Sequence, residues 1–185
     1  RTYVGANTPE KAEELLEQAV RDGAEVVFTT APPMSRATLK FAVKYPKIHF
    51  LNCSVDQPYS SVVTYYGRIF EAKFITGAIA GAMANDDRIG YIAPYPIRGI
   101  LASINAFALG AQLTNPNARI ELKWDCVPGD HLRELVGHGI DIVSTLDIPL
   151  PGWNEGQWGT FRVREDGSTD LIASPYWDWG AFYVQ

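Results

Sequence analysis

Residues 85–93 read NDDRIGYIA, a polar break followed at once by the short apolar run Ile89–Ala93. The run has the length and composition of a strand buried on both faces of a parallel sheet, and the polar residues before it are typical of the end of a helix. Helices and strands alternate before this break, and a second alternation starts with it. The sequence therefore predicts two α/β lobes, with the boundary at Asn85–Arg88.

The segment before the break predicts the order helix, strand, helix, strand, helix. Thr8 and Pro9 mark the start of the first helix, Gly23 ends it, and the β-branched run Glu25–Thr30 follows as a strand. The later elements are predicted as a helix over 35–43, a strand over 48–53, a polar connector over 56–61 and a long apolar helix over 65–84. Residues 1–86 are the predicted first lobe.

The predicted second lobe spans residues 87–176. After the strand at 89–93 it has a helix over 97–113, a strand over 119–124, a short helix over 131–136 and a strand over 140–144. Pro149, Pro151 and Gly152 then break the pattern, and Asp166-Gly167 predicts the turn of an antiparallel hairpin. Residues 177–185 are predicted to cross back towards the hinge, and their pair Trp177 and Trp179 either packs there or clamps a planar ligand.

Charge and composition exclude several classes of partner. With 16 Lys and Arg against 21 Asp and Glu, the net charge is −5, so the chain has no general attraction for nucleic acid. The longest apolar segment, Phe74–Ala84, is too short to span a bilayer, so membrane contact is expected only through an anchor outside this sequence. The two cysteines and three histidines lack the spacing of a metal site, so no metal and no cofactor are predicted.

No catalytic motif is visible either. The sequence lacks a GxxxxGK[ST] phosphate loop, GxGxxG, HExxH and GxSxG, so an enzyme is not predicted. Cys53 is interpreted as an inert buried thiol, and Gly77 and Gly81 as a site of close helix packing. Arg68 and Glu71 form either an ordinary structural pair or a buried pair near the hinge, and neither version is catalytic.

A binding site is predicted from position, because ligands bind beyond the carboxyl ends of parallel strands. That rule selects Asn7, Thr29, Thr30, Pro32, Asn52, Ser54, Tyr95, Asp125, Ser144, Thr145 and Asp147. The candidate ligand-binding residues are Thr29, Thr30, Asn52, Tyr95, Ser144 and Asp147, with Tyr95 stacking on the ligand. Hydroxyls, an amide, a carboxylate and a tyrosine suit an uncharged, ring-bearing, hydroxylated molecule. Ordinary capping and turn chemistry remains the alternative for each residue singly.

Short blocks along most of the chain also point to one family. They are Val27-Phe28-Thr29-Thr30 with Met34, Tyr66-Gly67-Arg68 with Glu71-Ala72, Gly77 through Gly81, Ile89-Gly90-Tyr91-Ile92-Ala93, the run INAFALGA at 104–111, Asn115-Pro116 with Trp124, and Trp177-Asp178-Trp179-Gly180 with Phe182-Tyr183. In order and spacing they resemble the basic membrane protein family of ABC-transporter substrate-binding proteins, which includes purine nucleoside receptors.

The resemblance implies a type I periplasmic-binding-protein-like fold, in which two doubly wound α/β lobes close on a ligand at a hinge. It also implies a non-catalytic, extracytoplasmic protein of the periplasm or cell surface that delivers its solute to an ABC permease. Family members begin with a further β/α unit, so the first lobe is expected to be incomplete, and a lipoprotein anchor is expected before Arg1.

Two departures from the family pattern bear on the ligand. Ala31-Pro32-Pro33 stands where the family tends to have serine, an aromatic and glycine, and Cys126–Gly129 lacks the aromatic that usually follows Trp124. The family also places part of its pocket in the β/α unit that is expected before Arg1. Stacking and polar contacts each contribute about 1–3 kcal/mol, so this chain alone is expected to bind nucleosides weakly or not at all.

Two functional hypotheses follow. In the first, the chain captures a small purine nucleoside-like or sugar-bearing solute for an ABC transporter. In the second, it is the ligand-sensing module of a larger regulatory or membrane-attached protein.

Overall fold

The computed structural model describes residues 1–54, 60–96, 98–147 and 158–184. Some predicted features therefore lie outside the described residues: Ile97 at the start of a helix, residues 56–59 of the connector, and the breaks at Pro149, Pro151 and Gly152. The described residues form two compact units, Arg1–Gly67 and Arg68–Gln185. Each unit is an α/β structure with its own sheet.

The first unit has two helices and three strands. These are α1 (Pro9–Arg21), β1 (Val26–Thr29), α2 (Ser35–Lys44), β2 (His49–Cys53) and β3 (Val63–Tyr65), with a 3₁₀ turn at Pro32–Met34. The Thr8 hydroxyl caps α1 by accepting a hydrogen bond from the Lys11 amide at 3.2 Å, as the sequence predicts. The strands are parallel in the order β1-β2-β3, and Leu16, Phe41 and Phe50 pack in the core between helices and sheet.

The second unit has a five-stranded mixed sheet in the order β5-β4-β6-β7-β8. Its elements are α3 (Ile69–Met83), β4 (Arg88–Ala93), α4 (Arg98–Thr114), β5 (Arg119–Trp124), α5 (His131–Gly137), β6 (Ile142–Ser144), β7 (Thr160–Val163), β8 (Thr169–Ala173) and α6 (Trp179–Tyr183). β4 is parallel to β5 and β6, whereas β7 and β8 form the predicted antiparallel hairpin. Gly167 in its turn has φ of +81°, where glycine is favoured.

Both faces of β4 are buried, which explains its apolar sequence. Ile89 and Tyr91 face the core that contains Phe107 of α4, while Gly90 on the other face lies against Leu135 of α5. A Cβ on Gly90 would come within 2.8 Å of Leu135 Cδ1, so glycine lets α5 approach the sheet. β1 and β4 lie in different sheets, in agreement with the prediction of two separate alternations.

The start of one helix differs from the prediction. The helix predicted over 65–84 begins only at Ile69, because Val63–Tyr65 is β3 and pairs in parallel with β2. The predicted boundary at 85–88 lies inside the second unit, because α3 packs along α4 and groups with the elements that follow it. The assignment of lobes to residues 1–86, 87–176 and 177–185 stays a prediction.

Glycines set the close packing of α3 on α4, as the spacing of Gly77 and Gly81 predicts. A Cβ on Gly77 would overlap the Phe107 carbonyl oxygen, and one on Gly110 would overlap the Phe74 carbonyl oxygen. Close approach of the two backbones therefore needs glycine at these positions. Among the described residues, no helix is both long and apolar enough to cross a membrane.

Candidate functional site

Thr29 and Asn52 meet at the carboxyl ends of β1 and β2 in the first unit. They are partners in the strand register, and the Asn52 amide donates to the Thr29 hydroxyl at 2.7 Å and to the Ala31 carbonyl at 3.2 Å. The Thr29 hydroxyl lies 2.8 Å from the Thr38 hydroxyl, which donates to the Met34 carbonyl at 2.8 Å. This buried chain of hydrogen bonds fixes the orientation of the Asn52 side chain.

Two polar atoms at this strand end have no hydrogen-bond partner among the described residues. Asn52 is fully buried and Ser54 is 4% exposed, yet neither Asn52 Oδ1 nor Ser54 Oγ forms a hydrogen bond with a described residue. The two residues are two apart on a strand ladder that continues through the Ser54 amide, which donates to the Tyr65 carbonyl at 3.1 Å, so they share a face. Buried polar atoms without partners are rare in folded proteins, and this pair therefore requires an explanation.

The second unit gathers polar groups at the carboxyl end of β6. The Lys73 ammonium group of α3 donates to Ser144 Oγ at 3.0 Å, to the Thr145 carbonyl at 2.9 Å and to Asp147 Oδ1 at 2.8 Å. The side chains of Lys73 and Asp147 are only 3% and 6% exposed. The Thr160 hydroxyl of β7 also donates to Ser144 Oγ, at 3.0 Å, so three elements converge on Ser144.

Burial dominates the electrostatics of this cluster. It lowers the pKa of Lys73 and raises the pKa of Asp147, and in each case the opposite charge of the partner counteracts the shift. The ammonium group lies 5.2 Å from the ring centre of Tyr91. Burial and the charge of Asp147 raise the pKa of Tyr91, which keeps its phenol neutral.

Four of the six candidate ligand-binding residues thus form two local clusters: Thr29 with Asn52 in the first unit, and Ser144 with Asp147 in the second. Thr30 and Tyr95 are exposed. Tyr95 has 47% of its surface accessible, and its stacking on a ligand stays a prediction. That these residues line one cleft stays a prediction.

Sequence reasoning missed the central role of Lys73. The available signal is a lone lysine in the apolar stretch of α3, whereas the sequence also allows the nearby Arg68 and Glu71 to form a buried pair. That alternative is wrong: Arg68 and Glu71 lie 2.8 Å apart with side chains 71% and 58% exposed. The buried charge of this helix is Lys73.

Cys53 and the tryptophan pair, which the sequence also singled out, do not form a reactive or ligand-stacking site in the structure. Burial raises the pKa of the Cys53 thiol, which favours its protonated and less nucleophilic form. The rings of Trp177 and Trp179 stack on each other with centres 5.1 Å apart, which leaves no room for a planar ligand between them. Within the described ranges, no three His, Cys, Asp or Glu residues are grouped so that they could hold a metal ion.

Comparison with known proteins identifies the family. The model of the Bmp family, described as ABC transporter substrate-binding protein PnrA-like, matches residues 2–125, more than half of the chain. The chain belongs to the Bmp family. The resemblance that the sequence blocks indicate is therefore confirmed.

Two curated relatives of this Bmp-family chain show how far the likeness extends. TsgA13 of Haloferax volcanii, provisionally named an ABC transporter glucose-binding protein, is 27% identical over 98% of this chain and 50% of its own length. A purine-binding protein of Brucella abortus is 30% identical over 72% of this chain and 40% of its own length. The chain thus spans about half the length of the curated relatives that it matches.

Solved structures confirm the predicted fold class. An ABC transporter solute-binding protein of Conexibacter woesei matches with a TM-score of 0.59 at 20% identity, over 78% of this chain and 52% of that chain. A transcriptional activator of the comK gene from Bacillus halodurans matches with a TM-score of 0.62 at 17% identity, over 77% of this chain and 51% of that chain. At these identities the likeness concerns the fold alone, and it is the fold of periplasmic solute-binding proteins.

Proposed function

We propose that this Bmp-family chain captures a small, neutral, ring-bearing and hydroxylated solute, a purine nucleoside or a sugar, for an ABC permease. One curated relative is named for glucose and another for purines, and both ligand types are neutral rings rich in hydrogen-bonding groups. The role needs no catalytic step. Like other substrate-binding members of its family, the protein would act outside the cytoplasm.

The observation that carries this proposal is the pair of unpartnered atoms at the end of β2. Asn52 Oδ1 accepts hydrogen bonds and Ser54 Oγ both donates and accepts them, so together they suit a ligand with hydroxyl or N–H groups. Burying a polar atom without a partner costs about 1–3 kcal/mol, and a bound solute that supplies the partner removes this cost. Asn52 is the last residue but one of β2 and Ser54 directly follows the strand, so both lie at the carboxyl end of a parallel strand, where ligands bind in open α/β sheets.

Replacing Ser54 by alanine tests this proposal directly. Because no described residue hydrogen-bonds to this hydroxyl, Ser54→Ala should leave the free energy of unfolding unchanged or raise it. The same change should weaken solute binding by about 5- to 10-fold, since the solute loses one hydrogen bond. Affinity is measured by ligand-observed NMR titration with adenosine, guanosine, inosine and glucose, which reaches the dissociation constants weaker than about 1 μM expected for this chain.

Ser103→Ala is the matched control. Ser103 is equally buried, but its hydroxyl donates to the Gly99 carbonyl at 3.1 Å within α4. Its replacement should leave affinity unchanged. If folded Ser54→Ala binds every solute as tightly as the wild-type chain does, Ser54 is not in the site and the proposal loses its main support.

A further inference from the structure

Lys73 donates all of its side-chain hydrogen bonds inside the second unit. An ammonium group has three N–H donors, and here they point to Ser144 Oγ, the Thr145 carbonyl and Asp147 Oδ1 at 2.8–3.0 Å. No N–H group remains for a ligand, and the side chain is almost fully buried. Lys73 therefore acts through the groups that it holds.

These contacts occupy only one of the two carboxylate oxygens of Asp147. Lys73 occupies Oδ1, while no residue in the described part of the chain donates a hydrogen bond to Oδ2. An ionised carboxylate offers about four acceptor positions on its two oxygens, so Asp147 keeps spare acceptor capacity. Because Asp147 follows β6, this spare oxygen lies at the carboxyl end of a strand whose neighbour β4 runs parallel to it.

The balance of charge determines which solutes fit such an oxygen. Lys73 neutralises Asp147, so the pair as a whole attracts neither a cation nor an anion strongly. The local carboxylate oxygen still accepts a hydrogen bond from a neutral hydroxyl or N–H group, and such charge-assisted bonds are stronger than neutral ones. A phosphate brought against the same oxygen would meet a like charge.

From these contacts we infer that Lys73 is a positioning residue, which holds the Asp147 carboxylate so that its second oxygen accepts a hydrogen bond from a solute hydroxyl or N–H group. This selects neutral hydroxylated solutes over their deoxy and phosphorylated counterparts. The inference rests on the proposed function and adds to it the residue that sets this selectivity.

The test compares Lys73→Met with Lys73→Arg. The wild-type chain is titrated by ligand-observed NMR with adenosine, inosine and glucose, and with the deoxy and phosphorylated form of each solute that binds. Lys73→Met should weaken binding of the hydroxylated solute by about 10- to 100-fold, and Lys73→Arg should restore most of it, because a guanidinium group can still hold the carboxylate. Lys73→Met should also lose the preference of the wild-type chain for the hydroxylated solute over its deoxy form.

The outcomes separate the inference from the proposed function on which it rests. Folded Lys73→Met that keeps wild-type affinity and wild-type preference overturns the inference and leaves the proposed function standing. A wild-type chain that binds none of the solutes overturns the proposed function and the inference with it. If Lys73→Met does not fold, the wild-type preference decides: equal binding of hydroxylated, deoxy and phosphorylated forms overturns the inference, and discrimination against the last two supports it.

Discussion

Lys73 brings a positive charge into the interior of the second unit, where the hydrogen bonds to Ser144, Thr145 and Asp147 compensate for the loss of water. Removing one partner of a buried ion pair leaves the other unpaired and typically costs about 3–5 kcal/mol, whereas replacing both with apolar residues is often neutral or stabilising. We therefore expect Lys73→Met to be strongly destabilising at neutral pH and Lys73→Met/Asp147→Leu to regain much of the loss. Urea unfolding of both variants at pH 7 checks this expectation, and equal stabilities would contradict it.

The stability of Lys73→Met should depend on pH in a definite direction. Burial already raises the pKa of Asp147, and loss of the Lys73 charge, which lowers that pKa, should raise it further. The window lies between the pKa of Asp147 in the unfolded chain and its raised pKa in the folded chain. Within it the folded state holds a proton that the unfolded state has released, so the free energy of unfolding falls as the pH rises. The destabilisation of Lys73→Met relative to wild type should therefore be largest at pH 7 and shrink as the pH is lowered towards 4. Urea titrations across this range measure it, and a constant difference would show that Asp147 is not the group left unpaired.

For single residues, the sequence predicts which polar side chains lie at strand ends better than it predicts which side chains hydrogen-bond to them. Thr29, Asn52, Ser144 and Asp147 follow from the rule that polar residues at the carboxyl ends of strands form sites. Lys73 lies 74 positions before Asp147 in the chain, and the helical periodicity of α3 does not tell which distant strand its long side chain reaches. The unpartnered state of Asn52 Oδ1 and Ser54 Oγ likewise depends on three-dimensional contacts.

At the scale of elements, the contact between α3 and α4 depends on backbone approach. Gly77→Ala would place a methyl group on the Phe107 carbonyl oxygen, which belongs to the backbone of α4 and cannot rotate away. Overpacking of this kind costs about 1–3 kcal/mol or more. Thermal and urea unfolding should show a loss of that size.

Gly137→Ala is the control for this prediction. Gly137 lies at the exposed end of α5, and an added Cβ would meet nothing within 4 Å. Alanine there should stabilise the helix by up to about 1 kcal/mol. If Gly77→Ala is as well tolerated as Gly137→Ala, the two helices are not held at the backbone separation described above.

The start of α3 shows what apolar periodicity misses. Tyr65 and Tyr66 extend the apolar stretch of α3 backwards, so a helical pattern can be drawn from residue 65. The β-branched Val63-Thr64 before them instead forms β3 by pairing with β2, and Gly67 separates that strand from the helix. Short strands that depend on a distant partner carry too few residues for a clear periodic signal.

At the scale of the whole molecule, the restart of the β/α alternation correctly predicted two sheets, because polar breaks and apolar runs are local signals. The point of division was harder to predict. Whether α3 groups with the elements before or after it depends on the face that it buries. Its glycines pack against the backbone of α4, and the sequence of α3 alone does not show that α4 is the partner. The net charge of −5 acts over the whole surface and adds to the disadvantage of phosphorylated solutes.

The most direct test of solute capture is a titration of the ¹⁵N-labelled chain with nucleosides and sugars, followed by the backbone amide signals. We expect saturable shifts with at least one neutral hydroxylated solute, with a dissociation constant weaker than about 1 μM. The largest changes should lie near Asn52 and Ser54 in the first unit and near Ser144 and Asp147 in the second. A folded chain whose amide signals do not respond to any of these solutes, or respond only far from both strand ends, would contradict this expectation.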